Sequence, residues 1–186
     1  SSGIAYGNEV RVADAEGNIV ASGEESEIQV RGRNVMQGYF KNSEATSDAF
    51  SPDGWYRTGD LGKMDADGYV FITGRLKELI IKGGENIAPR EIDDVLYRHP
   101  NVLEAAAFPL PDKHYGQTVA AAIAVRPGED VPESALRQLC LEAMGAYRAP
   151  SRYFFLKELP KGPSGKIQRL KLTERFSNTE ADISEV

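Results

Sequence analysis

The sequence of 186 residues contains one cysteine, Cys140, one tryptophan and two histidines. A single thiol excludes an internal disulfide and suits a reducing compartment, so a cytoplasmic location is expected. Cys140 falls within ALRQLCLEAM, where it reads as a small core residue of a helix. His99 and His114 have no cysteine or acidic cluster at ligand spacing, which argues against a zinc site. No apolar run approaches the roughly 20 residues needed to span a bilayer, and no basic-then-apolar leader opens the chain. Positive charge is in deficit, with 22 Lys and Arg against 28 Asp and Glu and a net charge of −6. That balance argues against a general nucleic-acid or anionic-membrane surface. A glycine-rich phosphate loop is also missing. GPSGKI has its glycines too close together and carries Ile167 where Ser or Thr is required. The chain opens on Ser1 rather than Met, and Ser1 is expected to be an interior position of a longer protein.

What is present reads as an α+β protein: a β-rich part over residues 1–75, a compact α+β part over 76–172, and a polar tail over 173–186. In the first part EVRVAD and SEIQVRG alternate apolar and polar residues around an AEGN turn. MDADGYVFITG places an Asp-Gly turn between two strand-like runs. It is not a calcium loop: with Gly68 sixth, Lys63 and Gly74 occupy the first and twelfth positions, where carboxylates are needed. NSEATSDAFS between these strands predicts a short helix. From Leu76 the pattern changes. KELIIKGG predicts a strand running into a glycine turn, and Pro89 opens a helix with Ile92, Val95 and Leu96 on one face. VLEAAAFPLPD and TVAAAIAVRP predict neighbouring buried strands. Pro132 opens a second helix closed by Gly145, and SRYFFLKEL predicts a last strand.

Three strings carry chemistry. In YRTGDL, Asp60 follows Gly59; a carboxylate on a glycine turn can accept hydrogen bonds from two vicinal ribose hydroxyls, or can simply hold its own turn. A hairpin could bring Arg75 of GRLKELIIKGGEN to the same edge, where its planar fork suits ribose or phosphate oxygens. In that second string Lys77 stands at the change of composition, and Gly83 and Gly84 present bare backbone to a thin ligand; a plain Gly-Gly hairpin turn is the alternative. In PKGPSGKIQR, Lys166 ends a loop stiffened by Pro160 and Pro163 and loosened by Gly162 and Gly165. Such a loop could deliver one ammonium to a developing anion. The alternative is a surface lysine in a basic patch with Lys161 and Arg169.

Taken together the three strings resemble the C-terminal motifs of the adenylate-forming superfamily of acyl- and aryl-CoA synthetases, nonribosomal peptide adenylation domains and firefly-type luciferases. The resemblance covers about Val10 to Leu172 and is nearest to bacterial CoA ligases. It implies two steps: a small carboxylic acid attacks the α-phosphate of ATP to give an acyl-adenylate and pyrophosphate, then the thiol of CoA displaces AMP. By their place in the motifs, Asp60 and Arg75 would hold the ribose of ATP, with Ile72 near the nucleoside. Lys166 would act in adenylation and Lys77 would be the hinge. Gly83 and Gly84 would face the pantetheine of CoA, and Tyr115 in DKHYGQ would stack on its adenine. Mg²⁺ would be held mainly by phosphates and by residues outside this chain. The resemblance also implies a lysine acetyltransferase as a possible partner at Lys166, and no nucleic-acid partner. Positions taken by basic side chains for CoA phosphates in some aryl-CoA ligases are Ala149 and Ser151 here, with Arg148 and Arg152 adjacent. A carrier-protein-directed adenylation domain and a noncatalytic module of the same fold are the competing readings. Joint retention of Asp60, Arg75 and Lys166 speaks against the noncatalytic one.

Overall fold

The computed structural model describes residues 1–177. The chain divides after Lys77 into two compact units, each with its own core.

The first unit is an open antiparallel sheet. Its strands are β1 (Gly3–Ile4), β2 (Asn8–Ala13), β3 (Ser26–Gly32), β4 (Tyr56–Met64) and β5 (Tyr69–Arg75), in the order β1-β5-β4-β3-β2. The alternation in β2 and β3 puts Val12 and Ile28 on one face with Val70, and this small cluster is the unit's core. The expected Asp-Gly turn joins β4 to β5: Asp65 accepts the amides of Asp67 and Tyr69, and Gly68 N–H donates to Asp65 O. Between β3 and β4 lies α1 (Ser43–Ala49), started by Asn42, whose side chain accepts the Ala45 amide at 3.0 Å. A polar layer completes the unit. Trp55 is sandwiched between the guanidiniums of Arg11 and Arg31, 4.6 and 4.5 Å from its ring. Arg11, itself buried, grips Asp53 with two nitrogens at 2.7 and 3.1 Å.

The second unit is a mixed sheet covered on both faces. It contains β6 (Ile80–Lys82), β7 (Glu85–Ile87), α2 (Pro89–Leu96), β8 (Val102–Asp112), β9 (Gly116–Val125), α3 (Glu133–Arg148), β10 (Arg152–Phe155) and α4 (Arg169–Ser177). β9 is central: it pairs antiparallel with β8, parallel with β10, and meets β6 at Lys82 and Gly116. The unbroken apolar runs of β8 and β9 follow from burial on both sides. Ala105, Ala107, Ala121 and Ile123 face a core shared with Ile92, Leu96, Leu136 and Cys140. The alternate residues Ala106, Phe108, Leu110, Ala120 and Ala122 face a second core with Leu159 and Leu172. Each fully buried Leu, Ile or Phe contributes about 1.5–3 kcal/mol.

One expectation needs correction. The stretch from residue 173 does not begin as a polar tail; α4 continues to Ser177, because Phe176 stacks on Phe154 at 4.0 Å and packs beside Phe108. The rest of that stretch, 178–186, lies outside the described residues. Gly145, as expected, closes the first helical run of α3: it sits at φ 74°, ψ 168°, and a further turn follows in which Ala149 N–H reaches Gly145 O.

Arg11, helped by Ser51, holds the Asp53 carboxyl down to about 2 from an ordinary 3.8. A depressed carboxylate stabilises the fold above its unfolded pKa, and that contribution disappears as pH falls through the folded one. The first unit should therefore lose stability between about pH 4 and pH 2, read by the fluorescence of Trp55. Asp53→Asn should flatten that acid limb; an unchanged limb would remove Asp53 from it.

Candidate functional site

In the first unit, β4 and β5 pair so that Asp60 lies directly opposite Arg75. The Arg75 Nε approaches Asp60 Oδ1 at 3.1 Å, and both side chains keep a solvent face, 46% and 29% exposed. The turn before Asp60 is fixed from several directions. Buried Glu27 accepts the Gly59 amide at 3.1 Å and Arg57 Nε at 3.3 Å. Thr58 donates its hydroxyl to Ile28 O at 2.6 Å and accepts the Asp60 amide at 3.0 Å. Asp60 therefore does not hold its own turn; its carboxylate is turned to Arg75. Ile72, on β5, is exposed and engaged with its surroundings. An open cavity of about 680 Å³ lies beside this turn, lined by Glu27, Tyr39, Asp48, Tyr56, Arg57 and Thr58 among others.

Lys77 lies in a single 3-10 turn, Leu76–Glu78, with its side chain exposed. The two compact units meet in sequence immediately after it.

In the second unit, Gly83 and Gly84 form the exposed turn between β6 and β7. Their neighbours make a closed aromatic box that the sequence did not announce. Lys82 is buried; its ammonium donates to Tyr147 O at 2.6 Å and lies 4.7 and 5.4 Å from the rings of Tyr147 and Tyr115. In return Tyr147 Oη donates to Lys82 O at 2.6 Å, and Gly83 N–H donates to Tyr115 O at 2.9 Å. Tyr115 is set by Asp112, which accepts the amides of His114 and Tyr115 at 2.8 Å; those two bonds hold the Asp112 carboxyl below its ordinary range. No periodicity signals Lys82 or Tyr147, because they meet across 65 residues of chain.

Lys166 is exposed on a tightly closed loop. Gly162 N–H donates to Lys166 O at 2.9 Å, Gly165 N–H to Gly162 O at 2.9 Å, and Gln168 N–H to Pro160 O at 2.8 Å. The basic patch considered from the sequence does not exist in that form. Lys161 pairs with Glu104, while Arg169 is largely buried against Asp93 and Glu78. Arg148, one candidate for a CoA phosphate, is engaged by Glu91 at 2.7 Å. Among the described residues no group of three or more His, Cys, Asp or Glu could hold a metal ion, and no helix is long and apolar enough to cross a membrane.

Residues 91–166 match the model of the AMP-binding enzyme C-terminal domain. The chain carries the C-terminal domain of the adenylate-forming enzymes. It is 53% identical over 172 residues to a sulfoacetate–CoA ligase of Cupriavidus necator, covering 92% of this chain and 34% of that ligase. Among solved structures it superposes on ATP-bound MatB from Rhodopseudomonas palustris with a TM-score of 0.89 and 33% identity, covering 94% of this chain and 35% of that one. It also resembles the o-succinylbenzoate CoA synthetase of Bacillus subtilis in complex with its acyl-adenylate, with a TM-score of 0.83 and 35% identity over 90% of this chain and 34% of that one. The chain thus spans about a third of the length of these adenylate-forming relatives.

The box around the glycine turn of this domain is tight enough to test. Gly83 has φ +54°, and a Cβ there would come 2.8 Å from Tyr147 Oη. Gly83→Ala should destabilise the second unit by about 1 kcal/mol or more. Tyr147→Phe removes the blocking oxygen, so the Gly83→Ala penalty should shrink in that background. Denaturant unfolding of the four variants gives the coupling; strict additivity would show that the crowding is unimportant.

Proposed function

We propose that this chain is the C-terminal part of an ATP-dependent acyl-CoA synthetase acting on a small carboxylic acid. The observation that carries the reading is the division of labour between two compact units. One holds a carboxylate–guanidinium pair across strands β4 and β5, the other an exposed lysine on a closed loop, and the boundary falls after Lys77. Kinship with CoA ligases over nearly the whole chain supports it.

In the first step a carboxylate oxygen attacks the α-phosphorus of ATP and pyrophosphate leaves. Asp60 accepts hydrogen bonds from the ribose hydroxyls, and Arg75 orients that carboxylate. Ile72 packs near the nucleoside. Lys166 places its ammonium between the acid and the phosphate, where charge builds as the bond forms. In the second step the CoA sulfur attacks the acyl carbon and AMP leaves with the bonding pair. This step needs Lys166 withdrawn and the Gly83–Gly84 backbone presented to pantetheine, with Lys77 as the hinge. Tyr115, held by Asp112 and Tyr147, offers a ring for the CoA adenine, a contact worth about 1–3 kcal/mol. Mg²⁺ would accompany ATP, held mainly by the phosphates and by residues outside this chain. Acetylation of Lys166 by a lysine acetyltransferase would remove its charge and silence the first step. The single cysteine suits a reducing compartment, which supports a cytoplasmic location.

In an intact ligase carrying this chain, Lys166→Ala should slow pyrophosphate release at least about 100-fold while sparing thioester formation from supplied acyl-adenylate. Equal loss in both half-reactions would refute the role. Lys77→Pro should do the opposite, because proline fixes φ at the hinge; unaltered thioester formation would move the hinge elsewhere.

A further inference from the structure

Arg169 is used by none of the roles above, yet it is among the most constrained side chains of the second unit. It opens α4, three residues after Lys166. Its Nη2 meets Asp93 Oδ2 at 2.5 Å, its Nη1 meets Asp93 Oδ1 at 3.3 Å and Ala107 O at 2.9 Å, and its Nε meets Glu78 Oε2 at 3.2 Å. Only 16% of the Arg169 side chain and 8% of the Asp93 side chain is exposed. Asp93 also accepts the Ala107 amide at 2.7 Å, which ties α2 and β8 to the same guanidinium. On the other flank of the loop, five residues before Lys166, Lys161 pairs with Glu104 of β8. The loop is thus bracketed by two ion pairs, and the deeper one includes Glu78, the first residue after the unit boundary.

Burying an ion triad is a poor way to add stability, because desolvation offsets the Coulomb gain; its better-attested use is to fix one geometry. A guanidinium fork does this where an ammonium cannot, since it fixes direction as well as distance. At the start of α4, Leu170 and Lys171 are exposed, while Arg169 is largely buried and reaches α2 through Asp93.

We propose that Arg169 is the positioning residue of Lys166. By clasping Asp93 and Glu78 it anchors the base of the lysine loop to α2 and to the first residue of the unit, so that Lys166 is presented from one fixed frame. This rests on the reading of Lys166 given above. Misplacement of a reacting group by about 1 Å can cost on the order of 100-fold in rate, so a clasp acting at this distance has a measurable effect.

The test uses an intact ligase carrying this chain, with the two half-reactions measured separately. Because Arg169→Gln alone leaves Asp93 buried without a countercharge, the main variant is the pair Arg169→Gln with Asp93→Asn, beside Glu78→Gln, which leaves the Asp93 contact in place. Adenylation kcat should fall about tenfold in the pair and about threefold in Glu78→Gln. KM for acid and ATP, and thioester formation from supplied acyl-adenylate, should stay within about twofold. Arg169→Lys should recover only part of the loss. Added to Lys166→Ala, the pair should lower adenylation no further, since Arg169 acts through that lysine. Folded variants with unchanged adenylation, with both half-reactions lowered alike, or with additive loss in the Lys166→Ala background would overturn the proposal. If the pair does not fold, Glu78→Gln decides by the same criteria. If Lys166→Ala itself leaves adenylation intact, the reading of the loop fails and this inference fails with it. A selective Lys166→Ala defect beside normal Arg169 and Glu78 variants sinks this inference alone.

Discussion

The second unit depends on one constraint: β8 and β9 must be apolar on both faces and thin. Ala105, Ala106, Ala107, Ala120, Ala121, Ala122 and Ala124 are each at most 1% exposed. Alanine lets α2 and α3 settle close on one side and α4 on the other. Larger side chains are interspersed, such as Phe108, which packs beside Phe154 and Phe176, and Ile123. Everything attributed to this unit is attached to that pair of strands: the glycine turn through β6, the lysine loop through α4, and Tyr115 at the turn between β8 and β9.

Electrostatics then sorts the cations. Arg11, Lys82 and Arg169 are drawn into the interior and each has partners there: a carboxylate and an indole, a carbonyl and two phenol rings, two carboxylates and a carbonyl. Lys166, by contrast, is exposed on its hydrogen-bonded loop.

Much of this was legible in the sequence because it is local. The alternation in EVRVAD and SEIQVRG, the Asp-Gly turn, Pro89 at a helix start and the two apolar runs each state their structure within a few residues. So does the facing of Asp60 and Arg75, since a hairpin between them leaves few registers. What escaped was non-local. Arg169 reads as surface charge until Asp93, 76 residues earlier, is brought beside it. Lys82 reads as a strand end until Tyr147 closes over it. Phe176 sits among polar residues, and it is the rings of Phe154 and Phe108 that give α4 a reason to continue.

The one indole and the one thiol are sealed in different halves of the molecule. Trp55 lies between two guanidiniums in the β-sheet unit, and Cys140 is fully covered on the inner face of α3 in the other. Nature has in effect placed two orthogonal reporters, one optical and one chemical. Emission follows the opening of the first half, and access of a thiol reagent follows the opening of the second, so their order of unfolding can be timed without adding a label.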